Sequence, residues 1–411
     1  MKHLGGITQI HGSGIQPVDC ITGGSPCQDL SLAGKRAGLA GERSGLFMEQ
    51  IRIIKEMREH ERSAGRTGIM VRPRYMVWEN VPGAFSSNKG KDFATVLEET
   101  IRIAEPKAPA VPVPENGWPT AGILHDEMGA WSVAWRVHDA QFWGVPQRRR
   151  RIALVADFGG MSAPEILFER KGLPGYLTQG RWTWEASSGC FATCIVVPNQ
   201  EEPCRDGISY GKVGEGRVRV YENHQQDNRI KELGETCCTV ANKFGTGGNN
   251  QPIICLESNL TPGESQARRI YSASGAYPSL PSREKAGGDQ TAVLTGAVRR
   301  LTPLECERLQ GYPDGWTDIP DKEVNGKKVK ASDSARYKAL GNSIALPFWT
   351  WMFERMSGYL PHNATLGSLF DGIGGFPLCW ERIHGKGTAR WASEVDPFCI
   401  AVSKRRLGAE R

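Results

Sequence analysis

Apolar positions near the start of the chain come in two spacings. A short run, Val18-Asp19-Cys20-Ile21-Thr22, leads into Gly23-Gly24 and reads as a buried strand closed by a sharp, glycine-permitted turn. Phe47, Ile51, Ile54 and Met57 recur at helical intervals, which predicts an amphipathic helix over 44–60. Tyr75-Met76-Val77-Trp78 is a second apolar run, and 91–104 is again helical by pattern. The proline-rich stretch 106–119 predicts an extended connection. Ser132 to Val137 alternates as a strand does, and Ile152-Ala153-Leu154-Val155-Ala156 is a further buried run. Strands interleaved with helices predict an α/β sheet, which binds ligands at the carboxyl ends of its strands.

From about Gly159 to Ala297 the pattern changes. Glycine, serine, asparagine and glutamine rise and helical periodicity vanishes. Short runs such as Cys194-Ile195-Val196-Val197 and Pro252-Ile253-Ile254 stand between turns, which predicts a β-rich, loop-heavy unit. A weak repeat sets Arg229-Ile230, Val240, Gly247-Gly248 and Ile253-Ile254 against Arg269-Ile270, Leu280, Gly287-Gly288 and Val293-Leu294. It reads equally as a duplicated hairpin or as two loops facing a duplex. Periodicity then returns. Thr302, Pro303 and Glu305 form a capping-box signature, and an apolar helix is predicted over 344–356. A strand over 365–370 meets the turn Asp371-Gly372-Ile373-Gly374-Gly375, a helix through Arg382, and a strand, Ala389 to Ser393, that ends at Glu394.

Size and composition narrow the classes. The 411 residues suffice for two domains and a large core. No stretch approaches the roughly 18 apolar residues of a membrane span, so none is expected. The first residues, Met1-Lys2-His3-Leu4-Gly5-Gly6, lack the apolar core of a signal peptide. A formal net charge of +6 permits a polyanionic partner without establishing one. Eleven cysteines fit a reducing cytoplasm better than a disulfide framework. Cys190, Cys194, Cys204, Cys237 and Cys238 match no paired zinc spacing and no histidine completes them, so no metal is expected.

Three places carry candidate chemistry. Cys27 follows Pro26 on a stiffened loop at a strand's carboxyl end, where a thiolate can act as a nucleophile and Lys35, Arg36 and Arg43 could lower its pKa. The alternative is a small buried thiol. Glu79-Asn80-Val81 ends the second apolar run. Gln147 is followed by Arg148, Arg149, Arg150 and Arg151, which feed straight into a core strand. Alternation sends Arg149 and Arg151 to one face and Arg148 and Arg150 to the other. Finally, a glycine turn between strand and helix, with an acid about 20 residues on at Glu394, points to a nucleoside-bearing cofactor. A purely structural turn is the competing reading.

Taken together, these segments resemble the C5-cytosine DNA methyltransferases. The resemblance is carried by Phe370-Asp371-Gly372-Ile373-Gly374-Gly375, Pro26-Cys27-Gln28, Glu79-Asn80-Val81, Gln147 to Arg151, Arg300-Leu301-Thr302-Pro303 with Leu309-Gln310-Gly311-Tyr312-Pro313, and Gly341-Asn342-Ser343. It implies a Rossmann-like, S-adenosylmethionine-dependent methyltransferase sheet with an inserted β-rich target-recognition domain. The expected division is 1–158 and 336–411 for the catalytic domain and 159–335 for the recognition domain. The cofactor motif usually opens such chains and here stands last, which implies a circular permutation. A second departure is Gly6, where the family usually carries an aspartate for the adenine amino group; Ile7 is the neighbour expected to pack on the adenine.

The resemblance also implies roles. Cys27 would attack cytosine C6, Glu79 would serve ring N3, and Arg149 and Arg151 would hold the base oxygen and backbone. The cofactor would lie over Phe370, Asp371, Gly372, Gly374 and Gly375, with its ribose on Glu394. Ile7 and Pro26 would border it, and Asn342 and Ser343 would serve its amino-acid end. The target cytosine would be flipped out of double-stranded DNA, with the loop 32–45 closing over it. The expected form is a cytoplasmic monomer of bacterial or phage origin, with a cognate restriction endonuclease as a candidate partner. The rival readings are a tRNA cytosine-5 methyltransferase, a non-catalytic DNA-binding relative and a nicotinamide-dependent dehydrogenase.

Overall fold

The computed structural model describes residues 1–25, 45–168, 236–240, 299–319 and 331–408, with the backbone of short strands in the middle region. In chain order the strands are β1 (Lys2–His3), β2 (Cys20–Gly23), β3 (Tyr75–Asn80), β4 (Ala121–His125), β5 (Ser132–Asp139) and β6 (Arg150–Asp157). The middle region adds β7 (Val218–His224), β8 (Arg229–Gly234), β9 (Gln251–Leu256), β10 (Tyr271–Ser272), β11 (Val293–Leu294), β12 (Arg299–Arg300), β13 (Lys322–Val324) and β14 (Lys327–Val329). β15 (Leu366–Leu369) and β16 (Ala389–Ser393) complete the set.

Eight strands form one mixed sheet in the order β1-β16-β15-β2-β3-β6-β5-β4. The first five run parallel, and β6, β5 and β4 alternate in direction. The late strand β15 therefore lies inside the sheet, hydrogen-bonded to β2 with Leu369 opposite Gly23. β2 is buried along its whole length, as a central parallel strand covered on both faces must be.

Alternation divides the core. Cys20, Tyr75, Val77, Ala153, Val155 and Leu366 face one side, against the helices Leu346–Ser357 and Gly375–His384. Ile21, Met76, Trp78, Ile152, Leu154 and Leu369 face the other, against Leu46–Ser63 and Lys91–Ala104. Leu301, Cys306, Leu309, Tyr312 and Trp316 pack into the first core.

The expected helix over 44–60 is Leu46–Ser63, and that over 91–104 has the expected bounds. Thr302 closes a capping box: its hydroxyl accepts from Glu305 N at 3.3 Å and its own N–H donates to Glu305 at 2.7 Å. Several elements carried too little pattern to be predicted, among them β1, the short helix Ser162–Leu167 and the two that follow. β4 is a half-exposed edge strand, and the helix Asp333–Asn342 buries only Ala339 and Leu340. The described segments of the middle region are mostly short strands, four of which form an antiparallel sheet β12-β9-β7-β8. The repeat does not extend to pairing. Ile253 and Ile254 sit in that antiparallel sheet, whereas Val293 and Leu294 pair in parallel with Tyr271 and Ser272. The other residues of the second copy lie outside the described ones.

Candidate active site

The order of connection reverses between the parallel strands β15 and β2: β15 leads to β16 on one side and β2 to β3 on the other. The helix Gly375–His384 leaves β15 across one face and Leu46–Ser63 leaves β2 across the other. A crevice at that switch point, beyond the carboxyl ends, is where an open α/β sheet accepts a ligand. The ends of β16, β15, β2 and β3 open there. So do the end of β5 and the start of β6, because Asn80 pairs with Ile152 and Asp139 with Arg150.

Pro26, Cys27 and Gln28, with Lys35, Arg36 and Arg43, lie outside the described residues. Their approach is described. Gly23 and Gly24 do not take positive φ, so the expected reason for them is corrected: they are needed for close contact. A Cβ on Gly23 would stand 2.2 Å from Gln50 Oε1, and one on Gly24 would stand 3.0 Å from Glu79 Oε2. Ser25 is then tied down twice. Its hydroxyl accepts from Trp78 Nε1 at 3.1 Å and from Asn80 Nδ2 at 3.3 Å, and Asn80 Nδ2 also reaches Ser25 O. Asn80 Oδ1 in turn accepts from Val81 N at 2.8 Å. The chain thus reaches Cys27 from a two-point anchor on the strand that carries Glu79.

Glu79 is ion-paired with Arg151 at 2.8 Å, with side chains 14% and 15% exposed. The alternation expected of the arginines is present: Arg148 and Arg150 are exposed, Arg149 is buried and Arg151 is half-buried. The two inward arginines are used differently. Arg149 is 2% exposed. Its guanidinium donates to Val240 O at 3.3 Å, to Gly341 O at 3.1 Å and to Ser343 O. The expectation of a base contact for Arg149 meets a side chain committed to three backbone carbonyls. His138, the cross-strand partner of Arg151, stacks on Phe348 with ring centroids 3.7 Å apart. Burial, then the charges of Arg151, Arg136 and Arg149, push its pKa well below the ordinary value, so it stays neutral beside the arginines.

On the other side of the switch point stands the glycine turn. Phe370 has φ of +56°, rare for a bulky residue, and Gly372 and Gly374 are left-handed at +56° and +81°. A Cβ on Gly372 would meet nothing within 4 Å, so the turn leaves an open cradle there. Gly372 N donates to Glu394 Oε2 at 2.8 Å, and Val395 N and Asp396 N donate to Glu394 Oε1. The acid and the turn expected to share a cofactor are therefore in contact. Val395 is 73% exposed, and its Cγ1 lies 3.7 Å from where a Cβ of Gly6 would be. Ile7 is buried beside them.

Gly375 is packed tight: a Cβ there would stand 2.5 Å from the Tyr312 hydroxyl and 2.8 Å from Ile344 Cγ1. Tyr312 shares a 2.5 Å hydrogen bond with Ser343 Oγ. Asn342 is exposed at the end of its helix. Asp371 points the other way, under the helix Pro397–Leu407, where Ser403 Oγ donates to Oδ2 at 2.8 Å. Burial, opposed by the hydroxyls of Ser368 and Ser403, pushes its pKa up to about 7.

Sequence reasoning missed Ser25, Gln50, Tyr312 and Ser403 as parts of this site. Ser25 adjoins the cysteine motif and Tyr312 lies within the Leu309–Pro313 motif. Gln50 and Ser403 are single polar residues in helices, and no sequence signal singles them out.

A sequence profile for C-5 cytosine-specific DNA methylases matches residues 1–103 and 199–358, more than half of the chain. The chain belongs to this family. C-5 cytosine-specific DNA methylases use S-adenosylmethionine as methyl donor. Individual relatives are distant. A protein of Escherichia phage P1, called DNA N-6-adenine-methyltransferase, is 28% identical over 84% of this chain and 53% of its own length. The Type II methyltransferase M1.ScrFI of Lactococcus lactis subsp. cremoris is 24% identical over 86% of this chain and 65% of its own. M.HhaI of Haemophilus parahaemolyticus is 23% identical, covering 84% and 77%. The chain thus spans about half to two thirds of the length of the first two. Among solved structures, the Entamoeba histolytica methyltransferase EhMeth aligns with a TM-score of 0.40 and 13% identity, covering 84% of this chain and 78% of that one. Among the described residues, no helix is long and apolar enough to cross a membrane.

Proposed function

We propose that this chain methylates C5 of a flipped-out cytosine in a specific duplex DNA sequence, through a transient bond between Cys27 and C6. The observation that carries the reading is the Glu79–Arg151 pair, held at 2.8 Å beside Gly24 on the edge that also bears the glycine turn. Cytosine C5 is a poor nucleophile until a thiolate adds at C6. Cys27 supplies that thiolate. Arg151 is placed to hold the base oxygen and Glu79 to face ring N3 once the base takes the place each gives the other in the free protein; a protonated Glu79 carboxyl donates to N3 as the sulfur adds and recovers that proton as the sulfur leaves. Loss of the C5 proton and departure of the Cys27 sulfur restore the ring.

The residues of the turn fit the donor. The open cradle over Gly372 suits the close approach of a ligand to backbone, Glu394 suits ribose hydroxyls, and exposed Val395 beside Gly6 and Ile7 gives an apolar shelf for the adenine. Bound S-adenosylmethionine supplies an electrophilic methyl on a sulfonium sulfur.

We further infer that the 159–335 region reads the DNA sequence, and that the chain is a circular permutation of the usual order. β15 lying between β16 and β2, and β1 pairing with β16 at Lys2–Trp391, support the second inference. A relinked chain that carries 366–408 ahead of residue 1 is expected to fold and methylate, and failure to fold would refute the permutation.

The name of the phage P1 relative raises adenine N6 as a second acceptor. An exocyclic amine attacks a methyl donor directly, so that chemistry leaves Cys27 and Glu79 without a role. Mass spectrometry of nucleosides from cells expressing the protein separates the readings. DNA 5-methylcytosine is expected. N6-methyladenine in DNA, or 5-methylcytosine confined to tRNA, would overturn the assignment.

A further inference from the structure

The segment Cys237–Val240 joins the middle region to the arginine run. Gln147 and Cys237 form a parallel bridge, with Cys237 N donating to Pro146 O at 2.8 Å and Arg148 N donating to Cys237 O at 2.9 Å. Thr239 Oγ1 donates to Arg148 O at 2.5 Å. Arg149 then reaches Val240 O with one guanidinium nitrogen and the carbonyls of Gly341 and Ser343 with another. Ser343 Oγ bonds Tyr312, whose hydroxyl lies against Gly375 of the cofactor turn. Cys237 and Val240 are fully buried in the core that holds Leu309 and Tyr312.

We propose that Arg149 and Thr239 are positioning residues that make the placement of Arg151 against Glu79 depend on how the middle region is seated. Arg149 stands immediately ahead of β6 and two residues before Arg151, and the alternation of exposed and inward side chains runs through both, so they share a face and a backbone. Among the described residues, the middle region meets that backbone at the Gln147–Cys237 bridge, with the Thr239 hydroxyl on Arg148 O and the Val240 carbonyl on Arg149 continuing the contact. A buried guanidinium serving carbonyls from two different segments holds its strand in register with both, because moving it would leave buried polar groups unpaired. DNA seated on the middle region would thereby set the arginine that faces the base.

The proposal rests on the function proposed above, and the test keeps the two apart. Wild-type protein, Thr239→Val and Thr239→Ser are compared on duplex DNA that carries 5-fluorocytosine in the methylated sequence, with saturating S-adenosylmethionine. Valine keeps the branched shape and loses only the hydroxyl. The valine variant is expected to form the covalent adduct about tenfold more slowly, as loss of one well-placed hydrogen bond allows, with KM for DNA within about twofold. Serine restores the rate. An unchanged adduct rate, a loss confined to KM, or no rescue by serine would overturn the connector. If Thr239→Val does not fold, Tyr312→Phe replaces it, since it removes only the bond to Ser343. The same loss in rate alone is expected, and an unchanged rate again overturns the proposal. A wild-type protein that methylates without any adduct would overturn the covalent reading instead, and the connector would then be judged on single-turnover methyl transfer.

Discussion

Alanine at Gly375 and alanine at Gly372 will fail in different ways, although both glycines belong to one turn. At Gly375 the new methyl meets Tyr312 Oη at 2.5 Å, Ile344 Cγ1 at 2.8 Å and Ile344 Cδ1 at 3.1 Å. Tyr312 is 4% exposed and locked to Ser343, so it cannot swing aside freely. Overpacking of this kind costs about 1–3 kcal/mol, or about 1–4 °C in Tm for a chain of 411 residues. At Gly372 the methyl meets nothing within 4 Å, but φ is +56° and the space is the proposed cradle. The left-handed conformation costs about 1–2 kcal/mol. A methyl filling the cradle will weaken S-adenosylhomocysteine at least about tenfold, or about 1.4 kcal/mol. Thermal melts of the ligand-free variants and calorimetric titration with S-adenosylhomocysteine give both numbers. Gly375→Ala is expected to lose stability with affinity within about threefold of wild type, well inside the 1.4 kcal/mol that a tenfold change requires. If Gly375→Ala loses affinity as strongly as Gly372→Ala while melting like wild type, the cradle has been put at the wrong glycine.

Three further outcomes follow from the same geometry. Glu79→Gln leaves Arg151 without its carboxylate at 15% exposure, which lies between the surface and buried limits; urea titration will show a loss of about 1–3 kcal/mol, and adduct formation will fall, whereas wild-type stability would mean the pair is not held. Asp371 keeps its proton to a pKa of about 7 when folded but titrates near about 3.9 when unfolded, so the stability it contributes is full below the lower value and is lost as pH rises to about 7; Asp371→Asn will therefore raise Tm at pH 8 and change it little at pH 4, and a gain only at low pH would contradict the burial of this carboxyl. Asn80→Ala releases Ser25 at a cost of about 1–3 kcal/mol and will lower turnover with cofactor affinity unchanged; full turnover would show that the anchor does not position the cysteine loop.

Much of the sheet was legible because its strands are buried on both faces and so read as unbroken apolar runs. β2 and β3 are of this kind, and the helix Leu46–Ser63 shows its stripe at Phe47, Ile51 and Ile54. β4 and the helix Asp333–Asn342 were not legible, since an edge strand and a mostly solvated helix bury too few residues to set a period. In the site, alternation told the inward arginines from the outward pair. It could not tell that Arg149 ends on the carbonyls of Val240, Gly341 and Ser343, because those acceptors arrive from distant segments. The glycines before Cys27 were legible as necessary but for the wrong reason. Their neighbours Gln50 and Glu79 are set by tertiary packing, which a turn propensity does not contain.

The claim on which the account turns is that Cys27 bonds to the base. Duplex DNA carrying 5-fluorocytosine cannot lose a C5 proton, so it holds the protein at the covalent stage. Digestion of that complex and peptide mass spectrometry will place the nucleotide on the peptide containing Cys27, and Cys27→Ser will bind the same DNA without becoming attached. Attachment at another residue, or methylation of cytosine C5 by the serine variant at the wild-type rate, would contradict it.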